Sequence, residues 1–302
     1  MTARRRTTAA STARGRARVA TLLLAALATA GCSLWAGLWG PKIELPKDPA
    51  EAAANPAIGA RALLRANQTE LEIASWQPAI QTLVDALGDS IDPARAQPLR
   101  AAVRRVYGAQ RLFDRVATSL GDDWDADAAL AQFQFLDSSI GRKVLRARAT
   151  RRDPKTMERF QEFSRGFAES RFPRERVELV RRLDRALLVS KGAVLVNRAL
   201  VDAALAALSG ATSGTDAAAF QSLRQRAARE EPQLYAMAAD ELLRWDLFAF
   251  DSLSDAELAR YADFAESPAG QWYVVASARA LRLAANGAGE ELFQALRPRN
   301  DL

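Results

Sequence analysis

Carboxylates and serines are the side chains of this chain most able to do chemistry. The string Asp122-Asp123-Trp124-Asp125 and the pair Glu230-Glu231 could share acid–base work or ligate Ca²⁺. Ser138 follows Asp137 and Ser267 follows Glu266, which invites the idea of an activated nucleophile. An acid one residue away in sequence is not a base within reach, however, and a serine in that place suits a helix cap. The plainer reading of the string is a loop ending in a cap at Asp125, and of the pair, the decorated end of a helix. The chain has no histidine, the commonest general base and transition-metal ligand. Neither a GxxxxGK[ST] phosphate loop nor a G-x-S-x-G elbow occurs. We therefore assign no catalytic residue, no metal site and no cofactor from the sequence.

The elements that must position these residues are helices. With 302 residues and 49% apolar content, the chain can build a sizeable core. From Gly59 onward apolar residues recur at helical spacing and strand signals are nearly absent. Ser75 stands before Ile80, Leu83, Val84 and Leu87, with Gly88 as a stop. Asp92-Pro93 opens a run in which Leu99, Val103, Val106, Phe113, Val116 and Leu120 make one stripe, and Asp153-Pro154 opens another with Met157, Phe160, Phe163 and Phe167. The segment from Pro173 to Leu208 reads as two helices parted near Gly192. After a flexible stretch from Ser209 to Asp216, one helix runs to about Arg229 and Pro232 opens the next. Ser254 and Glu257 form a capping box, and Asn286-Gly287 offers a stop for the helix containing Trp272. The fold expected is an all-α, multi-helix bundle.

The N-terminus carries a different signal. Arg4, Arg5, Arg6, Arg14, Arg16 and Arg18 precede an apolar run from Val19 to Ala30, then Gly31-Cys32. That run is too short to span a bilayer, which takes roughly 20 residues. The stretch ATAGC-S resembles the lipobox of bacterial lipoproteins, with Thr29 where that family most often has Leu. The resemblance implies that residues 1–31 are a signal peptide that is removed, and that Cys32, the sole cysteine, becomes the acylated (palmitate-bearing) first residue of a lipoprotein. Ser33, rather than Asp, implies sorting to the outer membrane, with the rest of the chain in the periplasm. The formal net charge of +6 is contributed by the six arginines before Cys32, so the remainder is neutral and offers no basis for nucleic-acid binding. Residues 32–58, with Pro41, Pro46, Pro49 and Pro56, read as a semi-extended lipidated tether. Trp35 and Trp39 either seat that tether at the headgroups or pack back on the domain.

A short motif occurs twice. FLDSSIGR from Phe135 and FAESPAGQ from Phe264 align at an offset of 129 as F-x-[DE]-S-x-x-G, placing Ser138 on Ser267, Gly141 on Gly270 and the cap Asp125 on Ser254. The duplication predicts two similar helical units, 59–208 and 209–302. In the second copy Ser267 caps a helix begun by Pro268, and Gly270 lets another backbone or a large ring approach, Phe264 being the natural ring. Ser254, Glu257, Leu258, Phe264, Ser267, Pro268 and Gly270 together resemble the C-terminal motif of the bacterial envelope proteins of domain-of-unknown-function family 2059. Ala265 departs from its usual Tyr, and Ser139 replaces the proline in the first copy. The resemblance implies a helical, exported protein and carries no reaction.

The reading that follows is a non-enzymatic periplasmic protein, held to the membrane by lipid on Cys32, that binds an envelope protein or assists envelope assembly. Two alternatives stand beside it. A carboxylate-based hydrolase of cell-wall glycan requires two converging acids, and a carrier of a small amphiphile or lipid requires an enclosed apolar cavity, for which the Phe160–Phe167 stripe is a candidate wall.

Overall fold

The computed structural model describes residues 45–86, 93–150, 153–211 and 215–296. The signal peptide, Cys32, the two tether tryptophans, Leu87, Gly88 and Asp92 lie outside the described residues. Among those described, the chain is all-α: α1 Pro49–Ala54, α2 Pro56–Ala66, α3 Thr69–Ala86, α4 Pro93–Val106, α5 Ala109–Asp122, α6 Ala126–Asp137, α7 Ser139–Ala149, α8 Pro154–Arg165, α9 Arg174–Leu187, α10 Val189–Ala211, α11 Thr215–Ala249, α12 Asp255–Glu266 and α13 Pro268–Leu296.

The bundle is organised around α13, whose neighbours are α4, α5, α6, α9, α10 and α12. The larger apolar cluster joins α1 to α6 with α10 and α13, and includes the whole Leu99–Leu120 stripe. A smaller one gathers Ile140, Val144, Leu183, Phe250, Leu258 and Tyr261 from α7, α9, the end of α11 and α12. These clusters outline two helical sub-regions of unequal make-up. The run from Arg174 to Ser209 holds a window long and apolar enough to cross a membrane, but α10 within it packs along α13 and α11.

Several boundaries differ from the sequence expectations, each for a local reason. Helix begins well before residue 59, because Asp48-Pro49 and Asn55-Pro56 are cap-and-first-turn pairs: Asp48 accepts from the amides of Ala50 and Glu51, and Asn55 from that of Ile58. Ser75 lies inside α3 and donates to the Glu72 carbonyl at 2.6 Å. The expected helix from Asp92 breaks at Tyr107-Gly108, where Gly108 is extended. The break expected near Gly192 falls instead at Leu188, which is left-handed at φ 51°, with Asp184 accepting from the amide and hydroxyl of Ser190. Residues 209–211 close α10 and Thr215 opens α11, which continues through Pro232 while packed along α10. Likewise α13 passes through Asn286-Gly287 to Leu296. Gly289, one turn on, serves packing, since a Cβ there would lie 2.4 Å from that of Ala203 on α10.

Candidate functional site

The repeated motif forms two helix corners of the same geometry. Ser138 and Ser267 have φ/ψ of −63°/163° and −64°/160°, accept from the amides of Gly141 and Gly270 at 3.1 and 3.2 Å, and donate to the carbonyls of Phe135 and Phe264 at 2.6 and 2.7 Å. Both serine hydroxyls are therefore engaged in capping. Of the two neighbours expected beside Gly270, another backbone or the Phe264 ring, the structure has the backbone. The near neighbours are backbone atoms: a Cβ on Gly270 would lie 2.3 Å from the Phe264 carbonyl oxygen, and one on Gly141 2.0 Å from that of Phe135. The two rings instead stack on each other, centroids 3.8 Å apart and planes 2° from parallel. A contact between a residue and its own counterpart is what a local two-fold produces. Around the corners the likeness fades, because α7 has 11 residues and α13 has 29.

The acidic candidates other than Asp122 make structural contacts. Asp125 caps α6 through the Ala128 amide at 2.9 Å. Asp123 pairs with Arg279 at 3.1 Å, and its carbonyl accepts from the Trp272 indole. Trp124 donates to the Ala53 carbonyl at 2.7 Å and meets Trp272 edge-on. Glu230 and Glu231 lie within α11 rather than at a helix end, paired with Arg226 at 2.8 Å and Arg198 at 2.6 Å. Glu266 pairs with Arg182 at 2.6 Å. No group of three potential metal-ligating side chains occurs among the described residues.

A cavity of about 670 Å³ lies among α3, α6, α7, α9, α10, α11, α12 and α13, and the corner residues Phe135, Phe264 and Gly270 form part of its wall. The volume is in the range of small-molecule sites, about 300–1,000 Å³. Most of the wall is apolar, with Leu183, Val196, Leu242, Val274 and Leu281 among its residues. Met237 lines the cavity and is 50% exposed, which marks a mouth on α11. The Phe stripe of α8 is elsewhere: Phe160 and Phe163 pack with Phe248 of α11, and Phe160 also with Trp245.

Polar groups meet where α2 passes into α3 against α7, α12 and α13. Arg148 of α7 donates to Tyr261 Oη at 2.5 Å and to Asn67 Oδ1 at 3.3 Å, both neutral oxygens. Glu72 lines the same space, where burial alone pushes its carboxyl up to about 7. By surface area Glu72 is only half-buried, since what remains accessible opens into the cavity. Tyr273 is also pushed up to about 12 by burial. Thr69 and Asn67 lie close enough to favour its ionised form, yet no hydrogen bond to its hydroxyl is complete. The Gln68 amide nitrogen is buried without a partner, and Gln68 itself is left-handed at φ 62°. Both non-glycine residues of positive φ among those described, Gln68 and Leu188, line this cavity. Strained backbone of this kind persists where the surroundings enforce it, often at binding sites.

Sequence reasoning missed Gln68, Glu72, Arg148, Tyr261 and Tyr273. One signal was present for Glu72: it stands one turn before Trp76 on the stripe that continues through Ile80 and Val84, an acid on an apolar face. Comparison with protein-family models, with curated proteins and with solved structures returns no match for the chain.

Proposed function

We propose that the protein is a lipid-anchored periplasmic binding protein that works without catalysis, and that its cargo is a small amphiphile held in the cavity. The cavity is the observation that carries this reading: an apolar chamber of about 670 Å³ with one polar end and a mouth at Met237 suits a molecule with a tail and a head. It moves the amphiphile carrier ahead of a purely protein-binding role in envelope assembly. The anchor rests on the ATAGC-S stretch and Cys32, and the envelope setting on the family-2059-like corner from Ser254 to Gly270. The paired corners at Phe135 and Phe264 are read as relics of a duplication that produced two similar units, one of which has since diverged. A glycan hydrolase has less support. Glu72 owes its raised pKa to burial, with no second carboxylate contributing, while Glu231, Asp240 and Glu241 in the same wall are held by Arg198 and Arg244.

Gly192 provides the test. It lines the cavity, and a Cβ there would meet nothing within 4 Å, so a larger side chain can enter the space without displacing backbone. Gly192→Phe is expected to reduce binding of a fluorescent C12-chain probe at least about tenfold, equivalent to about 1.4 kcal/mol, with an unchanged melting transition. Equal binding by wild type and a folded Gly192→Phe would remove the cavity as the site.

A further inference from the structure

The polar end of the cavity has a defined chemical character. Its unsatisfied groups are donors: the Gln68 amide nitrogen and the Tyr273 hydroxyl have no partner, and the Arg148 guanidinium meets only neutral oxygens. Of the nearby acceptors, Asn67 Oδ1 and Tyr261 Oη already receive Arg148, while the Thr69 hydroxyl can donate as well as accept. Tyr273 feels both Arg148 and Glu72 electrostatically, which places these groups around one point. A buried donor without a partner loses the hydrogen bond it had to water, so a set of them facing an apolar chamber calls for an acceptor from outside the chain. Arginine, with its planar fork, is suited to a carboxylate or a phosphate.

We infer that this end receives the anionic oxygen head of a single-chain amphiphile, with Arg148, Gln68 and Tyr273 donating to it and the tail lying along the walls of α9, α10, α11 and α13. The inference rests on the cavity being the binding site. Glu72 fits an anion as the neutral acid, in which form it becomes a fourth donor; as a carboxylate it repels the head. The other charged groups on the cavity wall lie largely in ion pairs. On the α10–α11 side Arg198 pairs with Glu231, and Arg244 with Asp240 and Glu241, which leaves one carboxylate charge in excess there. Asp246 of α11 acts on Tyr261 of α12, and Arg148 of α7 acts on both tyrosines. Titration of Glu72 therefore sets the pH dependence of head binding.

The test is competition against a fluorescent C12-chain probe on the purified protein at pH 6, with dodecanoate, dodecylphosphate, 1-dodecanol and dodecyltrimethylammonium, each below its micellar concentration. At least one anion is expected to bind about tenfold or more tighter than the alcohol and the ammonium, and the tighter anion distinguishes carboxylate from phosphate. Arg148→Gln should erase that preference and Tyr273→Phe should reduce it, with an unchanged melting transition as the measure of an intact fold. If Arg148→Gln fails to fold, Tyr273→Phe decides alone. Raising the pH to 8.5 should weaken anion binding about tenfold in the wild type and not in Glu72→Gln. Anions no tighter than dodecanol, or a preference for the ammonium, would overturn the head assignment and leave the cavity in place. Failure of all four ligands to bind the wild type would instead remove the cavity reading itself.

Discussion

Glu72 is the residue on which burial and charge meet. Its carboxyl is pushed up from the ordinary 4.5 to about 7 because the fold surrounds it with protein. The neutral form is thus favoured by folding. The stabilisation is fully present at pH values below about 4.5 and is lost as the pH rises through 7, because the unfolded chain releases this proton more readily. Ionising Glu72 within the fold destabilises it by up to about 3 kcal/mol. Glu72→Gln is therefore expected to raise stability at pH 8 and to flatten the dependence of Tm on pH between 4.5 and 8, as measured by thermal denaturation. A variant with the same pH slope as the wild type would show that Glu72 is solvated. The sequence marks Glu72 only by its place on an apolar stripe. Arg148 has no such mark, since RKVLRARAT reads as a basic, solvated helix face until α12 and α13 close over it.

At the scale of elements, glycine has two opposite uses here. Gly270 lies against backbone, 2.3 Å from the Phe264 carbonyl oxygen to a would-be Cβ, whereas Gly192 faces empty space. Gly270→Val is expected to destabilise the protein by about 1–3 kcal/mol through overpacking, and Gly192→Ala to stabilise it by about 0.8–1 kcal/mol through helix propensity. Chemical denaturation checks both. Unchanged melting with lost binding in Gly270→Val would mean that the corner acts at the site rather than in the scaffold. The corners were legible in the sequence because capping is local: Ser138, Ser267, Ser254 with Glu257, Asp125 and Asp153 all cap as their residue types dictate. The breaks were not. Leu188 carries no turn residue, and the stop signals at Pro232 and Asn286-Gly287 are overridden by packing of α11 and α13 along α10. Local propensity yields to tertiary contact in long helices.

For the molecule as a whole, the proposed anchor at Cys32 and the chamber behind Met237 can be tested separately. The all-α class followed from periodicity alone, but the chamber could not, because it depends on which faces of eight helices meet, and no stripe records that. The anchor predicts that Cys32→Ala loses lipid labelling and moves from the membrane to the soluble fraction of the periplasm, whereas equal acylation and membrane retention would refute it. Whether the chamber holds an amphiphile is decided by a crystal structure of the protein soaked with dodecanoate. Chain density is expected between α10, α11 and α13, ending in a head within hydrogen-bonding distance of Arg148 and Tyr273. A chamber filled by rearranged side chains, or density confined to the outer surface, would refute amphiphile binding there.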